Sequence, residues 1–168
     1  MDSRTFRDTV GRFATGITIV TTEVDGLVHG MTANAFSSVS LDPLLVLVCV
    51  DRKARCHGQL VATERFGINI LASDQEDVSN TFARAKDPAA DFGPVAFERG
   101  EHGTPLLSES LARFECRRWA TYDGGDHDIF VGEVLGGEIQ RTEGDPLIYY
   151  AGAYRQLEAS DSDSSDSD

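Results

Sequence analysis

The sequence predicts an antiparallel β-barrel with a few helices set around it. Three observations carry this reading. Six or more short segments rich in Val, Ile, Thr and aromatic residues recur along the 168 residues. One pair of them flanks Asp25-Gly26, the dipeptide of tight hairpins. The two or three helical stretches fall between strands in no regular strand–helix–strand order, which disfavours a doubly wound parallel sheet. The fingerprint G-x-G-x-x-G follows none of the strands, so a nicotinamide cofactor would have to be held in some other way.

The elements follow in order. Phe6, Val10 and Phe13 recur at helical spacing after Asp2 and Ser3, predicting a short amphipathic helix that packs on the barrel or on a partner subunit. Residues 15–22 (TGITIVTT) form a strand, and residues 27–36 return as its hairpin partner. Residues 44–50 (LLVLVCV) are apolar throughout and read as a strand buried on both faces. Residues 54–64 have helical composition, and residues 66–71 (FGINIL) are the next strand. Ser73 and Glu76 have the spacing of a capping box, opening a helix whose Val78 and Phe82 share one face and which ends before Asp87-Pro88. After a loop rich in Gly and Pro, Ala112, Phe114 and Cys116 alternate through a strand; residues 129–135 and 147–154 supply the last two. No internal repeat or second domain boundary is visible, so residues 1–157 form one domain. Residues 158–168 end in SDSDSSDSD, an acidic extension without an apolar residue from 160 onward, expected to be disordered and solubilising rather than a docking tail.

Composition excludes several function classes. The net charge of −13 argues against nucleic-acid binding, which needs clustered Lys and Arg. Thirteen Arg and only two Lys stand against 17 Asp and 11 Glu, a balance that suits either a salt-adapted host or an ordinary acidic protein. No apolar run approaches the roughly 18 residues of a membrane span, and the first residues lack a secretion signal, so a soluble, cytoplasmic protein without a membrane role is expected. Cys49, Cys56 and Cys116 are widely spaced and odd in number, as buried free thiols rather than a disulfide framework. The Cys and His residues lack C-x-x-C or H-E-x-x-H spacing, and the carboxylates Asp123, Asp126 and Asp128 read as a solvated turn, so no metal is expected. The serines lack a G-x-S-x-G elbow, which disfavours a hydrolase.

The densest polar feature is residues 30–43, GMTANAFSSVSLDP, leading into the apolar run 44–50. Small hydroxyl and amide groups beside a rigid apolar strand suit a flat, polar-edged ligand with a phosphate tail, such as a flavin, although such groups also satisfy ordinary turns and strand ends.

Together with FATGITIVTT (13–22), FGINILASDQ (66–75), GGDHDIFVGEV (124–134) and PLIYYAGAYR (146–155), that segment resembles the flavin reductases of two-component monooxygenase systems over about residues 4–157. The resemblance implies a mainly β, antiparallel, Greek-key-like split barrel with helices, an FMN-binding fold. It implies hydride transfer from NADH or NADPH to FMN or FAD, a homodimer, and a separate oxygenase that receives the reduced flavin. The rival readings are a split barrel that keeps FMN tightly bound as an oxidase, and a non-catalytic flavin carrier or sensor.

Residue by residue, the flavin positions carried over are Thr32, Ala33, Asn34, Ala35 and Phe36, followed by Ser38, Val39 and Ser40. The phosphate segment matches Lys53, Ala54 and Arg55, continuing to Gln59 and Leu60, with a second contact at Ala85 and Lys86. Both lysines of the chain thus fall at implied phosphate contacts, where an ammonium serves as a point charge, although exposed lysines are usually just solvated. His127, in the GGDH turn, matches a histidine near the nicotinamide and is the candidate catalytic residue. Tyr154 is a weaker candidate for closing the ring pocket, since core or dimer packing would equally use it. The turn after Asp42 reads Pro43-Leu44, where many members have a second proline.

Overall fold

In β2 (Thr18–Val24), every residue but Glu23 is β-branched, and both faces of the strand are covered. Ile19 enters one apolar core and Val20 the other, which is why the segment carries no polar–apolar alternation. The computed structural model describes residues 1–84 and 94–158.

Before β2 come α1 (Ser3–Val10) and β1 (Thr15–Gly16). Asp2 caps α1, its carboxylate accepting from the N–H groups of Arg4 and Thr5 at 3.0 and 2.8 Å. After β2, Asp25 and Gly26 take φ of 52° and 78°, the left-handed pair a type I′ turn demands, and β3 (Leu27–Ala33) returns beside it. There follow β4 (Phe36–Leu41), β5 (Leu44–Asp51), α2 (His57–Ala62), β6 (Arg65–Ile70) and α3 (Glu76–Arg84). The second half holds β7 (Phe97–Arg99), β8 (Pro105–Leu107), β9 (Ala112–Gly124), β10 (His127–Ile139), β11 (Ile148–Tyr150) and β12 (Ala153–Arg155).

Seven strands form one antiparallel sheet in the order β3-β2-β6-β9-β10-β5-β4. Its edge strands β3 and β4 are consecutive in the chain yet not hydrogen-bonded to each other, so the barrel is split along that seam. Cys49 N–H donates to the Ala35 carbonyl at 3.0 Å, fastening the link between them to β5. The barrel interior is filled by Val20, Val46, Val48, Val50, Phe66, Ile68, Cys116 and Phe130. A second core, under α3, joins Ile17, Ile19, Leu71, Phe82, Leu107 and Leu147. Asn69 of the FGINIL segment is fully buried and satisfied: its amide donates to the Ile19 carbonyl at 2.9 Å and accepts from Leu107 N–H at 2.8 Å, tying the β7–β8 hairpin to the barrel. No described helix is long and apolar enough to cross a membrane.

Several elements depart from the sequence reading. The expected strand 27–36 ends at Ala33, and the serine-rich stretch beyond it is a strand of its own, β4. β5 is buried on one face only: Val46, Val48 and Val50 point inward while Leu45, Leu47 and Cys49 are half-buried. An apolar run cannot distinguish a strand covered on both faces from one whose second face awaits a partner. The expected helix 54–64 shrinks to six residues, α2. Ser73 does not cap α3, because the helix starts three residues on, its first bond running from Ser79 N–H to the Gln75 carbonyl at 3.1 Å; Ser73 N–H donates to the Asp145 carbonyl, and Gln75 Oε1 accepts from Ala72 N–H at 2.9 Å. The expected strand 147–154 is a hairpin, since Ala151 and Gly152 take φ of 51° and 79°. Phe6, Val10 and Phe13 lie exposed. Cys49, Cys56 and Cys116 are free, the last two buried. The acidic tail beyond residue 158 lies outside the described residues.

Candidate functional site

The turn after β5 is built by Asp51. Its carboxylate accepts from Lys53 N–H at 2.8 Å and its carbonyl from Ala54 N–H at 2.8 Å. Ala54 packs on the barrel core, which leaves Lys53 and Arg55 on the exposed side. They line a groove of about 390 Å³ whose opposite walls are Gly30, Met31 and Thr32 of β3 and Phe82, Ala83 and Arg84 at the end of α3. Gly30 is required by space, because a Cβ there would lie 2.4 Å from a Phe82 ring carbon. Thr32 donates its hydroxyl to the Ser79 carbonyl at 2.6 Å, and Ser79 Oγ lies 2.7 Å from the Tyr154 hydroxyl, so the groove wall, α3 and β12 are joined. Tyr154 also meets the Tyr149 ring edge-on at 5.6 Å. Cys56 lines the groove too, but burial pushes its thiol up to about 12, so it stays protonated and is no nucleophile.

The structure gathers some of the sequence-derived residues and separates others. Thr32, Lys53, Ala54 and Arg55 share the groove, and Arg84 joins them. Gln59 stands on α2 with its Oε1 buried and without a partner among the described residues, while Leu60 is a core side chain whose carbonyl accepts from Arg118 at 3.0 Å. Ala33 is buried; Asn34 and Ala35 are exposed between β3 and β4. Asn34 donates to Thr15 Oγ1 at 3.3 Å and faces a different cavity, of about 560 Å³, lined by Phe6, Val10, Phe13 and Tyr149. Phe36 packs on the barrel core. Ser38 and Val39 are exposed on the edge strand β4, and Ser40 Oγ accepts from Asp42 N–H at 3.2 Å. Ala85 and Lys86 lie outside the described residues.

The GGDH segment is the hairpin turn between the two longest strands, β9 and β10, with Gly125 at φ 84° as its first central residue. His127 stands directly opposite Asp51 in the β10–β5 ladder, and Arg52 N–H donates to the Asp126 carbonyl at 3.0 Å. The hairpin therefore abuts the turn that carries Lys53 and Arg55. His127 Nδ1 lies 2.7 Å from Asp126 Oδ1, which accepts its proton; the other ring nitrogen, Nε2, is left for a ligand. This bond from His127 holds the Asp126 carboxyl below its ordinary range.

Sequence reasoning missed the side chains behind this contact. Arg52 donates from Nε and Nη2 to Asp128 Oδ1 at 3.0 and 2.7 Å, and from Nη2 to Asp123 Oδ2 at 2.5 Å. His57 Nε2 donates to Asp128 Oδ2 at 2.7 Å and its ring meets Phe130 edge-on. Arg52, then His57, lowers the Asp128 carboxyl. Arg84 could have been found as the neighbour of the implied contact at Ala85 and Lys86; Arg52 and His57 had no local signal. Among the described residues, no group of three or more His, Cys, Asp and Glu is placed to hold a metal ion.

Known proteins share this architecture. The flavin reductase like domain matches residues 10–158. An NADH-dependent flavin reductase of a Rhodococcus species is 45% identical over 155 residues, covering 90% of this chain and 85% of the relative. The reductase component of a 4-nitrophenol 4-monooxygenase/4-nitrocatechol 2-monooxygenase from Rhodococcus opacus is 43% identical, covering 92% and 80%. Among solved structures, the NADH:FAD oxidoreductase SgcE6 of Streptomyces globisporus C-1027, in complex with NAD and FAD fragments, superposes with a TM-score of 0.86 at 37% identity and 96% coverage of each chain. With the family match running through barrel, groove and hairpin alike, the chain belongs to the flavin reductase family.

Proposed function

We propose that this protein is an NADH-dependent flavin reductase that passes hydride to FMN or FAD and yields reduced flavin to a separate oxygenase component. One observation carries the reading: the Lys53–Arg55 turn and the His127 hairpin, far apart in sequence, are adjacent across the β5–β10 ladder. A phosphate-binding element thus stands beside a histidine with one nitrogen free.

The residues present fit a flavin phosphate. Two exposed cations and Arg84 border one groove in a chain of net charge −13. When bound, the flavin and nicotinamide supply the hydride chemistry themselves. Lys53 and Arg55 neutralise the phosphate and fix one end of the ligand. The Thr32 side chain, committed to Ser79, shapes the wall rather than donating to the ring system. Asp126 holds His127 by Nδ1, and Nε2 is then the nitrogen that would meet the nicotinamide. Use of NADPH in place of NADH belongs to the same reading, and relatives named for both FMN and FAD leave either flavin as substrate.

The reading extends to assembly and setting. Phe6, Val10 and Phe13, with Val39, Leu41 and Leu44 at the open edge of the sheet, form exposed apolar surface beyond what a solitary barrel needs. A homodimer would cover it; sedimentation at the mass of one 18.3 kDa chain at micromolar concentration would contradict that. A cytoplasmic location and a salt-adapted host rest on the composition. The test of the function is NADH oxidation that requires added flavin.

A further inference from the structure

The residues that flank the Lys53–Arg55 turn are not themselves part of the mechanism above. Arg52 precedes it and His57 follows it, separated only by Cys56. Both side chains bond to the same carboxylate, Arg52 to Oδ1 and His57 to Oδ2 of Asp128, and Asp128 is the residue next to His127. A second carboxylate, Asp123, takes the remaining reach of Arg52 from the other strand of the hairpin.

We infer that Asp128 is a positioning residue: its carboxylate fastens both ends of the phosphate-binding turn to the hairpin that carries His127, fixing one half of the site against the other. This rests on the function proposed above. The geometry supports it in three ways. The Asp128 and His57 side chains are each only 16% exposed, so their bond is sheltered from competition by water. Both of its oxygens are used, one for each end of the turn, so rotation of the carboxylate would cost both contacts. Finally, Arg52 is engaged by two carboxylates, which removes it as a phosphate ligand and makes it a strut between the turn and the hairpin.

The test compares FMN with riboflavin, which has the same ring system and no phosphate, in Asp128→Asn, His57→Leu and the double variant Lys53→Ala/Arg55→Ala. Binding is followed by quenching of flavin fluorescence. Asp128→Asn keeps the size of the side chain but removes its charge and presents an amide N–H₂ to donors; His57→Leu cuts one arm alone, and serves if the first variant does not fold. FMN affinity falls about tenfold in Asp128→Asn and less in His57→Leu, while riboflavin affinity stays close to wild type and the KM for NADH rises. Equal loss of FMN and riboflavin, as general disruption would give, overturns the inference. So does unchanged FMN affinity in both variants alongside a weakened Lys53→Ala/Arg55→Ala protein. If that double variant binds FMN normally, the phosphate assignment itself falls, and this inference with it.

Discussion

His127 is held by one bond, and that bond determines which of its nitrogens can work. With Nδ1–H given to Asp126, Nε2 is the nitrogen left for a ligand. Replacing His127 with Ala is expected to raise the KM for NADH or lower kcat by about tenfold or more, the range of a lost polar contact to substrate, while flavin affinity measured by fluorescence stays unchanged. A fully active variant would remove His127 from the mechanism. At this scale the sequence was informative where a residue was rare or sat in a motif. Lys53 stood out in a chain with two lysines, and His127 in GGDH. Arg52, His57 and Asp128 did not, because their partners lie 71 to 76 positions away and only the strand register brings them together.

Elements were legible where the backbone chemistry is local. Asp25-Gly26 announced its hairpin because the turn needs two positive φ values, and Asp2 announced α1 because a carboxylate there meets free N–H groups. Elements whose limits are set by tertiary contacts were not legible. β4 is hidden within the polar segment 30–43, since an edge strand of an open seam tolerates serines; the Ser73 cap fails because the first helical bond of α3 runs to the Gln75 carbonyl, two residues further on. The groove depends on two elements approaching closely, β3 at Gly30 and α3 at Phe82. Gly30→Ala would put a methyl group against a buried ring that packs on Phe97, and is expected to cost about 1–3 kcal/mol of stability, read from the denaturant midpoint. Unaltered stability would mean that α3 shifts freely on the barrel, which would also undo the described wall of the groove.

For the whole molecule, the split barrel explains why the site lies where it does. Seven strands give two cores, and the seam between β3 and β4 leaves the sheet uncovered where the cradle segment crosses it. The sequence-derived cradle is consequently shared between two places: Thr32 faces the groove, whereas Asn34 faces the larger cavity under α1. A single apolar-and-polar stretch cannot show that it changes face at a strand break. In the function proposed above, groove and hairpin together serve hydride transfer from NADH to a dissociable flavin. The most direct measurement mixes the protein anaerobically with NADH and a molar excess of FMN or FAD, at low and at high salt, and follows bleaching of the oxidised flavin's visible absorption. Catalytic amounts of protein are expected to bleach the whole flavin pool, with a rate that saturates in both flavin and NADH. A protein that holds one flavin per chain tightly and leaves the excess oxidised at every salt concentration would contradict that function.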